Sequence, residues 1–462
     1  MITLLIAVPL ALAFATIPLR KLARLILPVV VLANLVILFA LKPHVGKIIE
    51  LGSWPAVYGI TLFFDEVAFY FLSFVNMMFL VISLITRDER FSIPLLVMNA
   101  ALNGLILTAD FFNSFVFLEI IAITSYIIST DKDNALGSFK YLIFGGVASI
   151  FYLIGAVFMY VQGGTLNMAY SSYIIGMSNP ELMKTALVLF AITLLVELKV
   201  LPFGLWVPDV YGNGSALTPV VLGSVVSTAT VYLFSRLSLT FVDEHLPPVF
   251  YYTVLASIVL SQLGALYQKN LGRTLAFASM ASMSTVVASL LTRQESVVST
   301  ALFYLFTDAL AKFVLFTVYG NLGVANFRNA KTTGIAFTFS SLSLVGVPIF
   351  AGFWGKYYLL KALFEQENYV LAIVVLVSTL IELAYVTKWN IEQWFAKKET
   401  TKGEIENIDL PFVQKLFVLL SALILLVIGL FPQLLLDKTN LLAEKLFDFQ
   451  LYRDIFFGKG GM

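Results

Sequence analysis

The stretch VVSTALFYLFTDALAKFVLFTVYGN, residues 297–321, decides the class of fold to which this chain belongs. It is an apolar run that nevertheless contains two charged side chains, Asp308 and Lys312. A helix needs about 20 mostly apolar residues to cross the hydrocarbon core of a bilayer, and this run is long enough. The whole chain of 462 residues has the same character, since 60% of its residues are hydrophobic and 12% are charged, with a mean hydropathy of +0.92. A soluble protein of this composition would expose large apolar patches, so soluble folds are excluded.

Residue counts exclude several kinds of site. The chain contains 0 cysteines, which excludes disulfides, thiolate metal sites, iron–sulfur ligation and cysteine nucleophiles. Its 2 histidines leave almost nothing for haem or zinc, and its net charge of +1 provides no basic field for nucleic acid. We therefore expect no cofactor and no metal in this chain, and no nucleic-acid partner.

Apolar runs of spanning length follow one another along the whole chain, so we predict an all-α polytopic membrane protein with about 14 transmembrane helices. The predicted spans are 2–18, 25–42, 64–85, 92–109, 111–130, 138–162, 184–206, 217–241, 249–268, 272–291, 297–321, 333–365, 368–391 and 412–431. Two of them are predicted to be broken helices, because Pro202 interrupts one and Pro348 with Gly352 interrupts the other.

The two interrupted spans occupy corresponding places, which predicts a chain organised around two repeats. Spans four to eight and nine to thirteen would be the halves, with an interrupted span as the fourth of each. The predicted divisions are 1–90 for the first three helices, 91–242 for the first five-helix repeat, 248–391 for the second, 392–411 for a polar connector, and 412–462 for the last helix and an amphipathic tail.

Lysine and arginine concentrate in every second loop, which predicts a cell-membrane protein with both termini on the outer side. The basic loop regions hold Arg20, Lys21, Arg24, Arg87, Arg90, Lys132, Lys140, Lys269, Arg273, Arg328, Lys331, Lys397, Lys398 and Lys402. The other loops hold few basic residues, such as Lys47, Lys184 and Arg293.

Ionisable side chains inside the apolar runs point to function, because each costs about 2.5–3.5 kcal/mol to insert into a membrane. The residues of this kind are Glu119, Glu197, Lys199, Asp308, Lys312, Lys356 and Glu382. Asp308 and Lys312 are four residues apart and share a helix face, whereas Glu197 and Lys199 are two apart and do not face each other. Pro202 follows Lys199 and frees backbone groups, which admits water beside a lysine able to load and release a proton.

Each of these groups also has a purely structural alternative. Glu119 could be satisfied by a neighbouring hydroxyl that fixes helix packing, and Lys199 could extend along its span to reach the membrane interface. Asp308 and Lys312 could form a self-neutralising surface pair, although their aromatic and aliphatic flanks favour burial. Lys356 could cap a helix end near the interface.

Four motifs occur together and in order. They are Asp110, Glu119 and Ser125-Tyr126; Lys199 with Pro202-Phe203-Gly204-Leu205-Trp206-Val207-Pro208-Asp209; Asp308-Ala309-Leu310-Ala311-Lys312; and Gly346, Pro348, Gly352, Phe353 and Lys356. In these motifs the chain resembles the antiporter-like subunits shared by respiratory complex I, the Mrp-type sodium/proton antiporters, and the membrane-bound hydrogenase and related complexes. The resemblance covers roughly spans four to thirteen.

The resemblance implies two inverted five-helix half-channels that move protons. It implies that Glu119 and Lys199 exchange a proton and change their separation, and that Lys356 is similar to the terminal group that passes the proton outward. It places Asp308 and Lys312 on the same relay. It further implies other integral membrane subunits and lipid as partners, a hydrophilic redox arm in some complexes, and iron–sulfur or other redox centres in those partner subunits.

Three departures from the family pattern leave the relay open to more than one interpretation. The segment from Pro219 to Ser235 contains no lysine or histidine, and Gly204 and Asp308 stand where the family has histidines. The central relay could therefore run through water and the hydroxyls of Ser224, Ser227, Thr228 and Thr230, or it could be interrupted. It could also be adapted to Na⁺ near Asp308, because oxygen-rich surroundings suit a hard cation.

Two other functions stay open beside an ion-translocating subunit. One is an antiporter-like scaffold that no longer conducts, and the other is a stand-alone secondary transporter. The sequence leaves open whether the chain has enzymatic activity. Because it has no redox site of its own, we expect a non-catalytic, ion-pumping subunit of an oxidoreductase complex.

Overall fold

A computed structural model describes residues 1–130, 135–174, 180–241, 246–323, 327, 329–395, 409–448 and 456 of the chain. The fold is helical, with one antiparallel hairpin of β1 (Lys47–Glu50) and β2 (Thr61–Phe64) in the described part. The helices are α1 (Leu4–Ala15), α2 (Arg20–Ala40), α3 (Glu66–Ile85), α4 (Ser92–Leu107), α5 (Phe111–Ser129), α6 (Ala135–Gly163), α7 (Met168–Ile174), α8 (Pro180–Glu197), α9 (Val207–Asn213), α10 (Leu217–Val220), α11 (Ser227–Phe241), α12 (Pro248–Tyr267), α13 (Leu271–Leu291), α14 (Glu295–Leu322), α15 (Lys331–Val345), α16 (Ala351–Glu365), α17 (Tyr369–Phe395), α18 (Phe412–Leu430) and α19 (Gln433–Phe447). A π-helical segment, Val221–Val226, joins α10 to α11. The predicted all-α membrane architecture is confirmed.

The helices match the predicted spans in place but not in number. Among the described residues, 11 helices are long and apolar enough to cross a membrane. The other predicted spans correspond to α1, which has 12 residues, to α8, which has 18, and to the successive helices α15 and α16, which have 15 each. The predicted count of fourteen spans is therefore not confirmed.

Both predicted breaks are present. The first lies between α8, which ends at Glu197, and α9, which begins at Val207. The second lies between α15 and α16, where Gly346 ends α15 with φ 90°, a left-handed conformation that glycine adopts without a Cβ clash. Each break frees backbone carbonyls inside the bundle, which then need other donors.

Helix α14 is the centre of the bundle. Every residue from Val297 to Val318 is buried, and α13, α15, α16, α18 and α19 pack around it. A helix that is buried on all sides has no lipid-facing stripe. Asp308 and Lys312 therefore lie inside the protein, and the alternative of a surface ion pair is wrong.

A cluster of buried amides holds the first helices together. Pro9 lacks an amide hydrogen, so the Leu5 carbonyl one turn before it has no helical donor. The amide nitrogen of Asn103 on α4 donates to this carbonyl at 2.9 Å, and that of Asn34 on α2 lies 3.4 Å from it. Asn34 also donates to Asn99 at 2.9 Å, so the amides of α2 and α4 bridge to the kinked α1.

The chain alternates between two ends of the bundle, here called the basic face and the hairpin face. The basic face carries the connections α1–α2, α3–α4 and α12–α13 and the end of α17, with Lys21, Arg90 and Lys269. The hairpin face carries β1 and β2. Helix α19 also lies at this face, since the Ser299 hydroxyl at the start of α14 donates to the Asn440 side-chain oxygen at 2.5 Å.

Some predictions on organisation fall outside the described residues or stay untested. Lys132, Arg328, Lys397, Lys398 and Lys402 lie outside the described residues, as does most of the predicted polar connector. The division into two five-helix repeats with the stated boundaries stays a prediction.

Candidate functional site

Asp308 and Lys312 form a buried ion pair on α14, with 3% and 2% of their surfaces exposed. Their spacing of four residues brings the ammonium onto the carboxylate, as the sequence predicted. Lys312 Nζ also donates to the Ser282 hydroxyl on α13 at 2.5 Å. The other carboxylate oxygen, Oδ1, has no hydrogen-bond partner among the residues that the structure describes.

Lys356 lies one turn inside α16 and joins three helices. Its ammonium donates to the carbonyl of Val345, the last residue of α15, at 3.0 Å. It also forms a buried ion pair with Glu382 on α17. Lys356 therefore caps a helix end, as one alternative proposed, but it does so in the interior and with a carboxylate partner.

Glu382 is the buried carboxylate whose partner sequence reasoning did not identify. A signal was present, because Ser378, Glu382 and Tyr385 recur at helical spacing along the one buried stripe of α17. A pairing between α16 and α17 depends on tertiary packing, which spacing within either helix does not reveal.

Lys199 follows the end of α8 and has 1% of its surface exposed. Its Nζ donates to the Leu222 carbonyl at 2.7 Å and to the Ser227 hydroxyl at 2.5 Å, and it lies 5.2 Å from the centre of the Tyr211 ring. The Leu222 carbonyl belongs to the π-helical segment, where the regular hydrogen-bond ladder is interrupted. The alternative of a lysine reaching for the interface is therefore wrong, because its ammonium is held in the interior.

Gly204 is required by close packing against Lys199. A Cβ at position 204 would lie 2.4 Å from the Lys199 backbone oxygen, which is far inside van der Waals contact. The histidine that the family pattern would place here does not fit this backbone, so its absence is a consequence of how the segment after Lys199 folds.

Glu119 lies half-buried in α5 and is bound by the Ser149 hydroxyl of α6. Asp110, which begins the same motif, caps α5: its side chain accepts a hydrogen bond from the backbone N–H of Asn113 at 2.8 Å. The structure does not bring Glu119 into contact with Lys199. The resemblance implied a pair here, whereas the carboxylate and the ammonium each have their own hydroxyl partner.

Glu197 lies between these two groups in an aromatic environment. Tyr126, Tyr141 and Tyr211 each interact electrostatically with its carboxylate. The Tyr126 ring packs edge-on against Tyr141 at 4.7 Å, and Gly145 makes room for the Tyr126 hydroxyl, which a Cβ there would meet at 1.9 Å. Tyrosine side chains therefore lie near the Glu197 carboxylate.

The segment without lysine or histidine is lined by hydroxyls bonded to their own helix. Ser227 donates to the Leu222 carbonyl at 2.6 Å, and Thr228 donates to the Ser224 carbonyl at 2.6 Å. Lys199, which binds this segment at Leu222 and Ser227, also lies within electrostatic range of Lys312 and Asp308. Among the described residues no group of three or more acidic, histidine or cysteine side chains could hold a metal ion.

Comparison with known proteins gives the family. Residues 108–382 match the profile described as NADH:quinone oxidoreductase/Mrp antiporter, transmembrane. The chain belongs to this family. The matched residues include Glu119, Lys199, Asp308, Lys356 and Glu382, so the family assignment rests on the part of the chain that carries the buried charges.

Two relatives illustrate the breadth of the family. One is subunit N of the NADH-quinone oxidoreductase of Desulforudis audaxviator, which is 28% identical over 368 residues, covering 72% of this chain and 72% of the relative. The other is a component of the Na⁺/H⁺ antiporter of Bacillus subtilis, which is 26% identical over 405 residues, covering 81% of this chain and 82% of the relative.

Solved structures show the same fold. A chain of the membrane-bound sulfane sulfur reductase, an archaeal respiratory membrane complex, superposes with a TM-score of 0.88 at 25% identity over 99% of both chains. A chain of the Mrp complex from Dietzia sp. also gives 0.88, at 20% identity over 98% of both. This protein is therefore an antiporter-like membrane subunit of the complex I, Mrp and sulfane sulfur reductase type.

Proposed function

We propose that this subunit moves protons across the membrane through a file of buried ionisable side chains. The charge file consists of Glu119, Glu197, Lys199, Lys312, Asp308, Glu382 and Lys356. Its members lie on α5, at and just after the end of α8, and on α14, α17 and α16. The charge file therefore links the two predicted halves of the chain.

The observation that carries this proposal is continuity. Glu197 lies within electrostatic range of both Glu119 and Lys199, and Lys199 lies within range of Lys312. Glu382 lies within range of Asp308 and Lys312. The electrostatic neighbours of each member therefore include the next, and the direct contacts within the charge file are the Lys312–Asp308 and Lys356–Glu382 ion pairs.

The chemistry follows from this arrangement. A buried ammonium beside a carboxylate is a charge pair, and displacement of one partner changes the proton affinity of the other. Lys199 is bound by a hydroxyl and a carbonyl rather than by a carboxylate, so it can give up its proton without leaving an unpaired anion. A proton can therefore pass along the charge file as successive groups change charge.

Protons suit the charge file better than Na⁺ does. The Lys312 ammonium already binds one oxygen of the Asp308 carboxylate and neutralises its charge, so a sodium ion there would lie beside a bound cation. Sodium remains the alternative ion, and Asp308→Asn distinguishes the two. Altered sodium dependence in that variant would support Na⁺ at Asp308, and unchanged sodium dependence would exclude it.

The proposal also covers the orientation of the subunit in the membrane and its partner subunits. We place it in the cell membrane with its basic face in the cytoplasm and both termini outside, following the distribution of lysine and arginine. Other integral membrane subunits cover its apolar sides, and any redox centres, such as iron–sulfur clusters in a hydrophilic arm, belong to partner subunits.

The test is proton movement by the intact complex in sealed vesicles. Lys199→Ala removes a buried member of the charge file, so proton movement through this subunit should fall to background. Lys361→Ala is the matched control, because this lysine lies on α16 with 58% of its side chain exposed. Assembly is checked by copurification of the partner subunits. Full proton movement in an assembled Lys199→Ala complex would reject the proposal.

A scaffold that no longer conducts is the second candidate. The separation of Glu119 from Lys199 favours it, because a proton cannot pass between them in one step. In that case Lys199→Ala would leave proton movement unchanged while the complex still assembled.

A further inference from the structure

A cleft on the basic face is walled by four segments that are distant from one another in sequence. It has a volume of about 290 Å³ and lies among the end of α3 with the α3–α4 connection, the start of α10, the end of α14 and the start of α18. Ligand sites in proteins have volumes of about 300–1,000 Å³, so this cleft suits a small group rather than a large solute. None of its lining residues belongs to the charge file, and the proposed function assigns it no role.

Arg87 gives the mouth of this cleft a positive charge. It is exposed and has no ion-pair or hydrogen-bond partner in the part of the chain that the structure describes. The other two charged side chains that line the cleft, Asp88 and Arg90, bind each other at 2.6 Å, so their charges cancel. The charge of Arg87 is left to attract an anion, and a guanidinium presents paired N–H donors that match two oxygens of a phosphate.

The inner wall of the cleft carries two buried polar atoms without a hydrogen-bond partner among the described residues. One is the hydroxyl of Thr317, which has 1% of its surface exposed. The other is the side-chain oxygen of Gln414, a residue that is 7% exposed and whose side-chain nitrogen donates to the Ile85 carbonyl at 3.2 Å. The hydroxyl can donate and the amide oxygen can only accept, so an occupant that satisfies both has an acceptor and a donor.

The cleft lies beside a lipid-facing surface of the bundle. Helices α3 and α18 pack against each other, and their outward side chains near the cleft are apolar and exposed. These side chains are Leu84 on α3 and Phe412 and Leu416 on α18. A soluble anion would leave this apolar surface unused. A phospholipid headgroup brings a phosphate, hydroxyl or ammonium donors beyond it, and acyl chains that cover such a surface.

We propose that this cleft binds the headgroup of one phospholipid from the leaflet at the basic face. Arg87 binds the phosphate, the Thr317 hydroxyl donates to a headgroup oxygen, and a headgroup donor binds the Gln414 oxygen. The acyl chains lie along α3 and α18. The bound lipid thus fastens the α3–α4 connection to α10, α14 and α18. The site does not depend on the proposed function, because lipid binding requires no proton movement.

Native mass spectrometry of the intact complex tests the site. The complex is stripped of lipid in mild detergent and titrated with dioleoylphosphatidylglycerol, whose headgroup supplies both a phosphate and hydroxyl donors. The number of lipids retained per complex is measured at each lipid concentration. Arg87→Gln is compared with Arg24→Gln, which removes an exposed arginine of α2 near the same face but outside the cleft.

We expect Arg87→Gln to lose a tightly bound phosphatidylglycerol, with an affinity at least about tenfold weaker, or about 1.4 kcal/mol. Arg24→Gln should keep it. Dioleoylglycerol, which lacks the phosphate, should not occupy the site, and an excess of inorganic phosphate should not displace the lipid. Equal retention in the two arginine variants would overturn the site. Displacement by inorganic phosphate would assign the cleft to a soluble anion and would overturn the lipid.

A second pair of variants tests the inner wall. Thr317→Val removes the hydroxyl while it keeps the shape of the buried side chain, and we expect several-fold weaker retention of phosphatidylglycerol. Thr253→Val, on the exposed side of α12, is the control and should have no effect. Copurification of the partner subunits checks assembly. Unchanged retention in Thr317→Val would contradict the proposed headgroup contact. Lys199→Ala should keep the lipid, so a failure of the lipid site and a failure of the proposed function appear in different measurements.

Discussion

The two halves of the molecule hold their buried charges in different ways. In the first half, Glu119 and Lys199 are bound by neutral hydroxyl and carbonyl groups and do not touch each other. In the second half, Lys312 and Lys356 are each bound by a carboxylate. Removing one member of a buried ion pair leaves an uncompensated charge, whereas neutral ligands leave none. Loss of a single charged group should therefore cost more stability in the second half than in the first.

Glu119→Gln should have the largest effect, because it should stop proton movement through the first half. The substitution removes the charge but keeps an oxygen that can accept from Ser149, so folding should be retained while proton movement falls to background. Proton movement in sealed vesicles is the measurement. Glu197→Gln should be milder, because Glu197 has tyrosine neighbours that also carry exchangeable protons. A more severe loss in Glu197→Gln than in Glu119→Gln would show that Glu197, and not Glu119, is the carboxylate of the relay.

Asp308→Asn should show the cost of breaking a pair in the second half. It leaves the Lys312 ammonium buried without a counter-charge, and we expect a loss of about 3–5 kcal/mol in the free energy of unfolding. The double variant Asp308→Asn with Lys312→Met should regain most of that loss, because no buried charge is left unpaired. Unfolding of the purified complex in denaturant measures both.

Lys199→Met is the matched change in the first half. Since no carboxylate contacts this lysine, its removal should cost clearly less stability than Asp308→Asn. An equal loss of stability in the two variants would contradict the difference between the halves.

Gly204→Ala should have a smaller effect on stability. The added methyl group would meet the Lys199 backbone, and overpacking of this kind costs about 1–3 kcal/mol. The thermal midpoint of the complex measures the loss. Gly146→Ala, inside α6, is the control and should not lower the midpoint, because a Cβ at position 146 would meet nothing within 4 Å and alanine favours a helix. A neutral Gly204→Ala would show that the segment after Lys199 can move aside.

The smallest effect concerns Asp409, which precedes α18 on the basic face. Burial alone would raise the pKa of this carboxyl, but bonds from Lys415, Thr333 and the Leu410 amide together hold it below its ordinary value of 3.8. A lowered pKa in the folded state stabilises the protein above pH 3.8 and loses that contribution as the pH falls through the folded-state value. Because the pair is partly exposed, we expect less than about 1 kcal/mol.

The pH dependence of unfolding tests this contribution. Asp409→Asn should flatten the loss of stability at acid pH, and Lys361→Ala, which removes an exposed lysine elsewhere, should leave the profile unchanged. A profile that is identical in Asp409→Asn and the unsubstituted chain would refute the assignment.

Much of the architecture was predictable because membrane insertion depends on local composition. Runs of about 20 apolar residues located most helices, and the prolines in spans 184–206 and 333–365 located both breaks. The i, i+4 spacing of Asp308 and Lys312 predicted their ion pair. The predicted number of spans was not confirmed, because α1, α15 and α16 are shorter than a full crossing.

The parts of the site that were not predictable depend on contacts between distant segments. The pairing of Lys356 with Glu382 joins two helices, and the Ser149 hydroxyl that binds Glu119 lies 30 residues away. In the sequence, Gly204 was a departure from the family pattern, which has a histidine at this position. In the structure, the backbone of Lys199 leaves no space for any side chain there. Local spacing carries no information about such contacts.

The central claim is that the two halves form one proton path, and the most direct test compares Lys199→Ala with Lys356→Met in the same vesicle assay. In a single path, either variant alone blocks the whole flow, so both should reduce proton movement to background in assembled complexes. If the halves conducted independently, each variant would leave a substantial part of the flow and only the double variant would abolish it. That additive result would contradict the account.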